Sequence, residues 1–281
     1  MEQSTKKLFF ALLITFLIFI VEFLGGLISK SLALLSDSGH VFTDSLAILL
    51  SLIASVLAKK PSTHKATFGY ERVGILVALI NGIILILIAV FIFIEGYKRF
   101  INPPTINIAV MLPVAFIGLL GNLAIIWILS YKHEDLNIKS AWLHVVGDTI
   151  SSLGVIVAGL VIKFTGATIV DPIVSSFIGL IIVIGGFRVV RDALWVFLEF
   201  APKGFDVKKI KEEILKTEGV IDVHDIHLWA ISYRVPAFSA HIVIENRLLS
   251  EADKIRAEVE KKLKTLGIKH TVVQIEYLKC K

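Results

Sequence analysis

The chain of 281 residues contains one cysteine, Cys280. That excludes a disulfide within the chain and any thiolate-rich metal site, so metal chemistry would have to use His, Asp and Glu. Charge is scarce too: 19% of residues are charged, 56% are hydrophobic, and the mean hydropathy is +0.81. Soluble domains sit at about 45–50% apolar, so the excess is large. It is also uneven, because 27 of the 53 charged side chains fall in the last 80 residues. Such a chain cannot be disordered, and its charge distribution argues against a single soluble domain. A glycine-rich phosphate loop is missing: Gly82, Gly118 and Gly121 lie within apolar helices, where close packing explains them. No H-E-x-x-H motif occurs, which speaks against a membrane metalloenzyme, and the expectation is that the protein is not an enzyme.

What is present is a set of apolar runs. Spanning a bilayer core takes about 20 helical residues. Six stretches qualify, at roughly 8–28, 32–58, 73–94, 107–130, 141–162 and 172–190. The first lacks a small-residue cleavage pattern and reads as a span rather than a signal peptide. Lys and Arg in alternate loops set the orientation. With the N-terminus inside, eight basic residues (Lys6, Lys7, Lys59, Lys60, Lys65, Arg72, Lys132 and Lys139) face the cytoplasm, against four (Lys30, Lys98, Arg99 and Lys163) outside. Both termini are therefore expected in the cytoplasm, and the net charge of +5 is explained by topology without nucleic acid.

The tail changes period. Val207, Ile210, Ile214 and Leu215 predict an amphipathic helix stopped at Gly219. Residues 220–231 and 237–245 read as strands, and a second helix runs from a cap at Ser250, with Asp253 in the capping-box position, to Gly267. Residues 270–278 make a third strand. The order αββαβ suggests a two-layer α+β domain, ferredoxin-like in outline. The expected organisation is a polytopic α-helical membrane protein: residues 1–201 form a domain of six transmembrane helices, and residues 202–281 form a C-terminal cytoplasmic domain.

Ionisable groups inside apolar helices are expensive, about 2.5–3.5 kcal/mol for Asp at a helix centre, and they mark function. The second span carries His40 and Asp44, and the fifth His144 and Asp148. Both are H-x-x-x-D, so each pair projects from one helix face. If those faces meet, two imidazoles and two carboxylates converge, a set suited to a divalent transition metal whose charge the two Asp neutralise. Imidazole titrates near neutral pH, so metal and protons can displace one another there. Asp37, one turn before His40, is a candidate for the access path or a proton relay. Glu22, Asn81, Asn122 and Asp171 read as groups that hydrogen-bond between helices. In the tail, Gln274 and Glu276 share a strand face, as do His270 and Val272, while His241 points away from the core. His224 and His227 are three apart, so at most one joins His241.

Ser31–Asp44 (SLALLSDSGHVFTD), Trp142–Ser152 (WLHVVGDTISS), Asp171-Pro172, Val223–Trp229 (VHDIHLW), Ser239-Ala240-His241 and Gln274-Ile275-Glu276 together resemble the cation diffusion facilitator family, in its subgroup of zinc, cobalt and cadmium exporters, over essentially the whole chain. The resemblance implies a homodimer in the membrane lipid, with six spans per subunit and a metal-binding, dimerising cytoplasmic domain. It implies antiport, with Zn2+ leaving the cytoplasm as protons enter, and no prosthetic group; Zn2+ would be both transported substrate and regulatory ligand. Cd2+ or Co2+ as main substrate, or a metal sensor without coupled transport, are the alternatives. Carried over, His40, Asp44, His144 and Asp148 would be the transport site. His224, His241 and Glu276 would be tail ligands, with Gln274 and His270 as candidates. His rather than Asp at position 40 goes, within the family, with zinc over manganese or iron. The cell membrane is the expected location. Two family features are reduced here: the loop between spans four and five has only His133, and that between spans two and three only His64 and Tyr70. The family pattern also suggests a charge contact between Arg72 and Glu199.

Overall fold

Long apolar runs with few helix breakers leave the backbone one economical choice in hydrocarbon, because every N–H and C=O must be bonded within its own segment. The computed structural model, which describes residues 2–129, 136–233 and 235–277, contains six such helices: α1 (Glu2–Ser29), α2 (Leu32–Ala58), α3 (Val73–Ile101), α4 (Ile108–Leu129), α5 (Leu136–Thr165) and α6 (Val170–Phe197). All six are long and apolar enough to cross a membrane. Four of them, α1, α3, α5 and α6, outrun the expected spans by several residues, as where Lys98 and Arg99 continue the last turn of α3 beyond its apolar stretch. The loop with His133 lies outside the described residues.

Two compact units emerge: residues up to Leu52 with Ile80–Val190, and Ile53–Leu79 with the residues from Arg191 onward. The first is a bundle whose interior is built from small and branched side chains, among them Ala33, Ala89, Ala115, Val155, Ala158 and Ile182. Gly82 and Gly186 let α3 and α6 touch, since a methyl group at either would press on the backbone carbonyl of the other. Phe91, Trp127 and Phe164 point outward, as expected of side chains that lipid would cover.

One polar contact fixes how α2 begins. Asp171, fully buried at the start of α6, accepts hydrogen bonds from the backbone N–H of Leu32 (2.7 Å) and Ala33 (3.2 Å) and from the Ser31 hydroxyl (2.6 Å). A carboxylate at a helix N-terminus satisfies donors that lack intrahelical partners and is favoured by the helix dipole. Arg99 adds charge at 3.9 Å from Asp171 Oδ2 and itself donates to the Lys30 carbonyl in the tight α1–α2 turn. Lys30 takes a left-handed φ of 59° there.

The second unit holds the tail: α7 (Val207–Leu215), β1 (Val220–Ser232), β2 (Val235–Ile244), α8 (Leu249–Thr265) and β3 (His270–Glu276). Its sheet has the order β1-β2-β3, with β1 and β2 antiparallel and β2 and β3 parallel. Phe238, Ile242, Val259, Leu263 and Ile268 pack its core between sheet and helices. This is the ferredoxin-like α+β arrangement that the pattern of periods suggests. Gly267 closes α8 with a φ of 89°, whereas α7 ends at Leu215, a turn before the expected stop, and Gly219, with a φ of 87°, forms the turn into β1; a side chain at either would be strained.

The Ser250 cap is a misreading. Helix α8 starts at Leu249 with Leu248 at the cap and no side-chain cap bond. Arg256 draws Asp253 forward along the helix at 2.6 Å, so the carboxylate does not turn back to the N-terminus. Also within this unit, Arg72 and Glu199 form an ion pair at 2.8 Å, as the family pattern suggested, and Ser232 donates to Glu71 at 3.1 Å.

Replacing Asp171 by Ala strands three donors at the head of α2. Loss of an N-cap acceptor costs about 0.5–2 kcal/mol, so D171A should lower the unfolding midpoint of the detergent-solubilised protein in a thermal melt, with Asp171→Asn losing less.

Candidate metal centres

Helices α2 and α5 carry the H-x-x-x-D pairs, and all four residues lie within the first unit. The fold brings the two faces together. His144 Nε2 lies 3.0 Å from Asp44 Oδ2 and 3.9 Å from Asp148 Oδ2. His40 Nε2 lies 3.7 Å from Asp148 Oδ1, and His40 Nδ1 lies 3.8 Å from Asp44 Oδ2. The imidazole rings stand 6.1 Å apart at 64°. Ligand atoms held at about 2.0–2.2 Å around a tetrahedral ion sit roughly 3.3–3.6 Å from one another. The observed spacings run from just below that range to just above it, close to the separations of ligands around one ion. Ligand atoms of His40, Asp44 and Asp148 all lie within 4.8 Å of one another. Asp148 is buried and the other three are partly open.

A further polar layer borders this one. The Ser152 hydroxyl, one turn along α5 from Asp148, donates to Asp37 Oδ2 at 2.9 Å and accepts from Asn122 Nδ2 at 3.2 Å. Asp37 is thus adjacent to the four-residue set without belonging to it. Of the residues read as links between helices, Asn122 and Asp171 have partners, whereas neither oxygen of Glu22 nor Asn81 Oδ1 has a hydrogen bond among the described residues.

The tail builds a second cluster on one face of its sheet. His224 and His241 are direct cross-strand partners, with rings 5.4 Å apart. His241 lies opposite Gln274 on β3, which puts Glu276 within reach. His241 Nδ1 is 2.7 Å from Glu276 Oε1, and His224 Nε2 is 3.3 Å from Glu276 Oε2. Gln274 donates to Glu276 Oε1 at 3.0 Å and so orients the carboxylate. These three ligand groups form a metal-sized set. His227 falls elsewhere: it is exposed and pairs with Asp225 at 3.1 Å. His270 is also apart, with its ring edge-on to Phe68 at 5.5 Å.

Asp225 was not foreseen. Strand alternation puts it on the face opposite His224, but β1 is irregular between His224 and His227, and Asp225 takes a φ of 49°. Its carboxylate thereby comes within 3.6 Å of His241 Nε2. The available signal was residue type, since Asp tolerates the left-handed region better than most.

Comparison with known proteins identifies the family. Residues 8–198 match the cation efflux transmembrane domain, and residues 202–278 match the cation efflux protein cytoplasmic domain. A cadmium, cobalt and zinc/H(+)-K(+) antiporter of Bacillus subtilis is 39% identical, over 98% of this chain and 90% of its own length. The metal cation efflux system protein CzcD of Cupriavidus metallidurans is 35% identical, over 99% and 88%. The zinc transporter ZitB of Escherichia coli is 33% identical, over 99% and 90%. The chain belongs to the cation efflux, or cation diffusion facilitator, family: it is an integral membrane protein of a family of transporters rather than enzymes.

Proposed function

We propose that the protein exports a divalent transition metal, foremost Zn2+, from the cytoplasm by alternating access, with cations returning in exchange. The observation that carries this reading is the converging His40, Asp44, His144 and Asp148 set on two apolar helices, spaced for one tetrahedral ion. Two imidazoles and two carboxylates suit a borderline-soft dication, and the two negative charges cancel its two positive ones. A hydrated ion can therefore shed water in the bundle without leaving net charge in hydrocarbon. Metal binding requires deprotonated ligands, so binding releases protons and protonation releases metal. Rocking of α2 and α5 between two arrangements would expose the same four groups to each side in turn.

The relatives support this direction of chemistry. Their names give Zn2+, Cd2+ and Co2+ as metals and H+ and K+ as counter-ions. Residues 1–201 are the transporting domain in this proposal, and 202–281 the cytoplasmic one, with both termini inside and the cell membrane as location. The tail cluster of His224, His241 and Glu276 would bind regulatory Zn2+, with Gln274 holding Glu276 and Asp225 beside His241. Occupation of that site favours one arrangement of a homodimer joined through the tails. His270 is kept as a tail residue without a ligand role in this proposal, because its ring lies against Phe68.

In proteoliposomes loaded with a zinc-sensitive dye, Asp44→Ala together with Asp148→Ala should abolish metal uptake driven by a pH gradient. Uptake at the wild-type rate would refute the transport site. Parallel assays with Cd2+ and Co2+ rank the substrates. At the tail, His241→Ala should remove one of the zinc equivalents seen by calorimetry while D44A/D148A retains it. An unchanged stoichiometry in H241A would rule out the tail site.

A further inference from the structure

Glu22 is the least explained side chain in the membrane bundle. It lies in α1, is fully buried, and neither carboxylate oxygen has a hydrogen-bond partner among the described residues. Its head rests against α4 at Gly118, where a methyl group would collide with the carboxylate. Gly118 is therefore the gap that admits the carboxylate. One turn along α4 from Gly118 is Asn122, which bonds Ser152 on α5, and Ser152 in turn bonds Asp37 on α2. Helices α1 and α2 touch on either side of this level, at Gly26 against Leu35 and at Phe19 against Phe42 with rings 5.1 Å apart, which sets Glu22 beside the Asp37 turn of α2. Asp37 is itself buried, its Oδ1 has no hydrogen bond among the described residues, and Ser151 precedes its partner Ser152 on α5.

Four helices thus bring polar groups to one level of the bundle: Glu22 from α1 against Gly118 of α4, Asp37 from α2, Asn122 from α4, and Ser151 and Ser152 from α5. The titratable groups on the neighbouring helices at and next to this level are Asp37 and, one turn on, His40 on α2, and Asp148, one turn before Ser152, on α5. Two buried carboxylates with three unpaired oxygens are costly in a low-dielectric interior unless a cation neutralises them. The donors are oxygen alone, without imidazole or thiolate, which favours a hard ion over Zn2+. Asp37 and Ser152 are each displaced from the His/Asp layer toward the end of the bundle that holds the Ser29–Ser31 turn, the extracytoplasmic end under the proposed topology.

We infer that Glu22 and Asp37, with the Ser151 hydroxyl, form a second cation site that holds a hard monovalent counter-cation, a proton or an alkali ion, while the His/Asp layer holds the metal. Asn122 and Ser152 position Asp37. A proton needs one or two of these oxygens, and an alkali ion needs all of them together with water. This deepens the export reading and rests on it, because a counter-ion site has a use only if metal moves in exchange.

The test uses purified full-length protein in proteoliposomes, with Zn2+ uptake driven by a pH gradient in one arm and a K+ gradient in the other. Glu22→Gln preserves shape and removes the charge; Asp37→Asn is the second variant. Zinc affinity by calorimetry is measured alongside and reports that the bundle is folded. The expected result is wild-type zinc affinity in E22Q with gradient-driven uptake down about tenfold or more, a size typical of coupling between two sites. The arm in which wild type responds and E22Q does not identifies the ion. Full coupling in both variants would overturn the second site, as would loss of zinc binding in E22Q, which would place Glu22 in the metal layer. Wild-type protein driven by neither gradient would instead overturn the export reading.

Discussion

Charge in hydrocarbon must find a partner, and the bundle is organised around that constraint. Asp171 answers it with backbone donors and a nearby guanidinium, and in doing so ties the start of α2 to α6. Asn122, Ser152 and Asp37 answer it with a chain of hydrogen bonds across three helices. The four His and Asp side chains answer it only partly among themselves, through one contact of 3.0 Å between His144 and Asp44 and three of 3.7–3.9 Å that are too long for hydrogen bonds. The α2 helix is thus held at its head by Asp171 while the face carrying His40 and Asp44, the proposed metal ligands, lies two to three turns further along. A helix anchored at one end and loosely engaged at its middle has the mechanics that alternating access calls for.

The membrane helices were legible because length and apolarity alone require them. Their ends were less so, since hydropathy stops counting where polar residues continue the same helix, as at Lys98 and Arg99 in α3. The transport set was legible for a local reason: four-residue spacing fixes a shared helix face without knowledge of the neighbour. That α2 and α5 face each other is a tertiary fact, supplied before the structure only by family resemblance. The tail was harder. Strict alternation kept His224 and His227 apart but could not choose between them, and it put Asp225 on the wrong face because the irregular turn of β1 there has no hydrophobic signature. The Ser250 cap failed because Asp253 had a competing partner, Arg256, that only the helix geometry shows. Glu22 looked like one more interhelical hydrogen bond, and what distinguishes it, the lack of a partner, is invisible in sequence.

The two clusters differ in a way that suits different tasks. The tail set is built on a sheet, where cross-strand register fixes His224 against His241 and Gln274 steadies Glu276. Rigid strands give a site of fixed shape, appropriate to sensing. The bundle set is divided between two helices, so its geometry changes whenever those helices move relative to each other. A site that must release its ion benefits from that division, because separating α2 from α5 dismantles the coordination without breaking a secondary-structure element.

Charge balance also fixes why exchange, rather than simple release, follows from this layer. Occupied by a dication, the two Asp and two neutral His carry no net charge. Emptied, they leave two carboxylates in a medium where each isolated charge is costly. The return stroke is therefore steeply unfavourable unless cations replace the metal, on the imidazoles, the carboxylates or the adjacent oxygens. Any ion that fills that role gains the free energy the metal relinquishes, so a gradient of that ion drives the cycle. In the proposed cycle antiport thus follows from two aspartates within the bundle, Asp148 buried and Asp44 partly so, and the proposed site at Glu22 and Asp37 would widen the set of cations able to meet it.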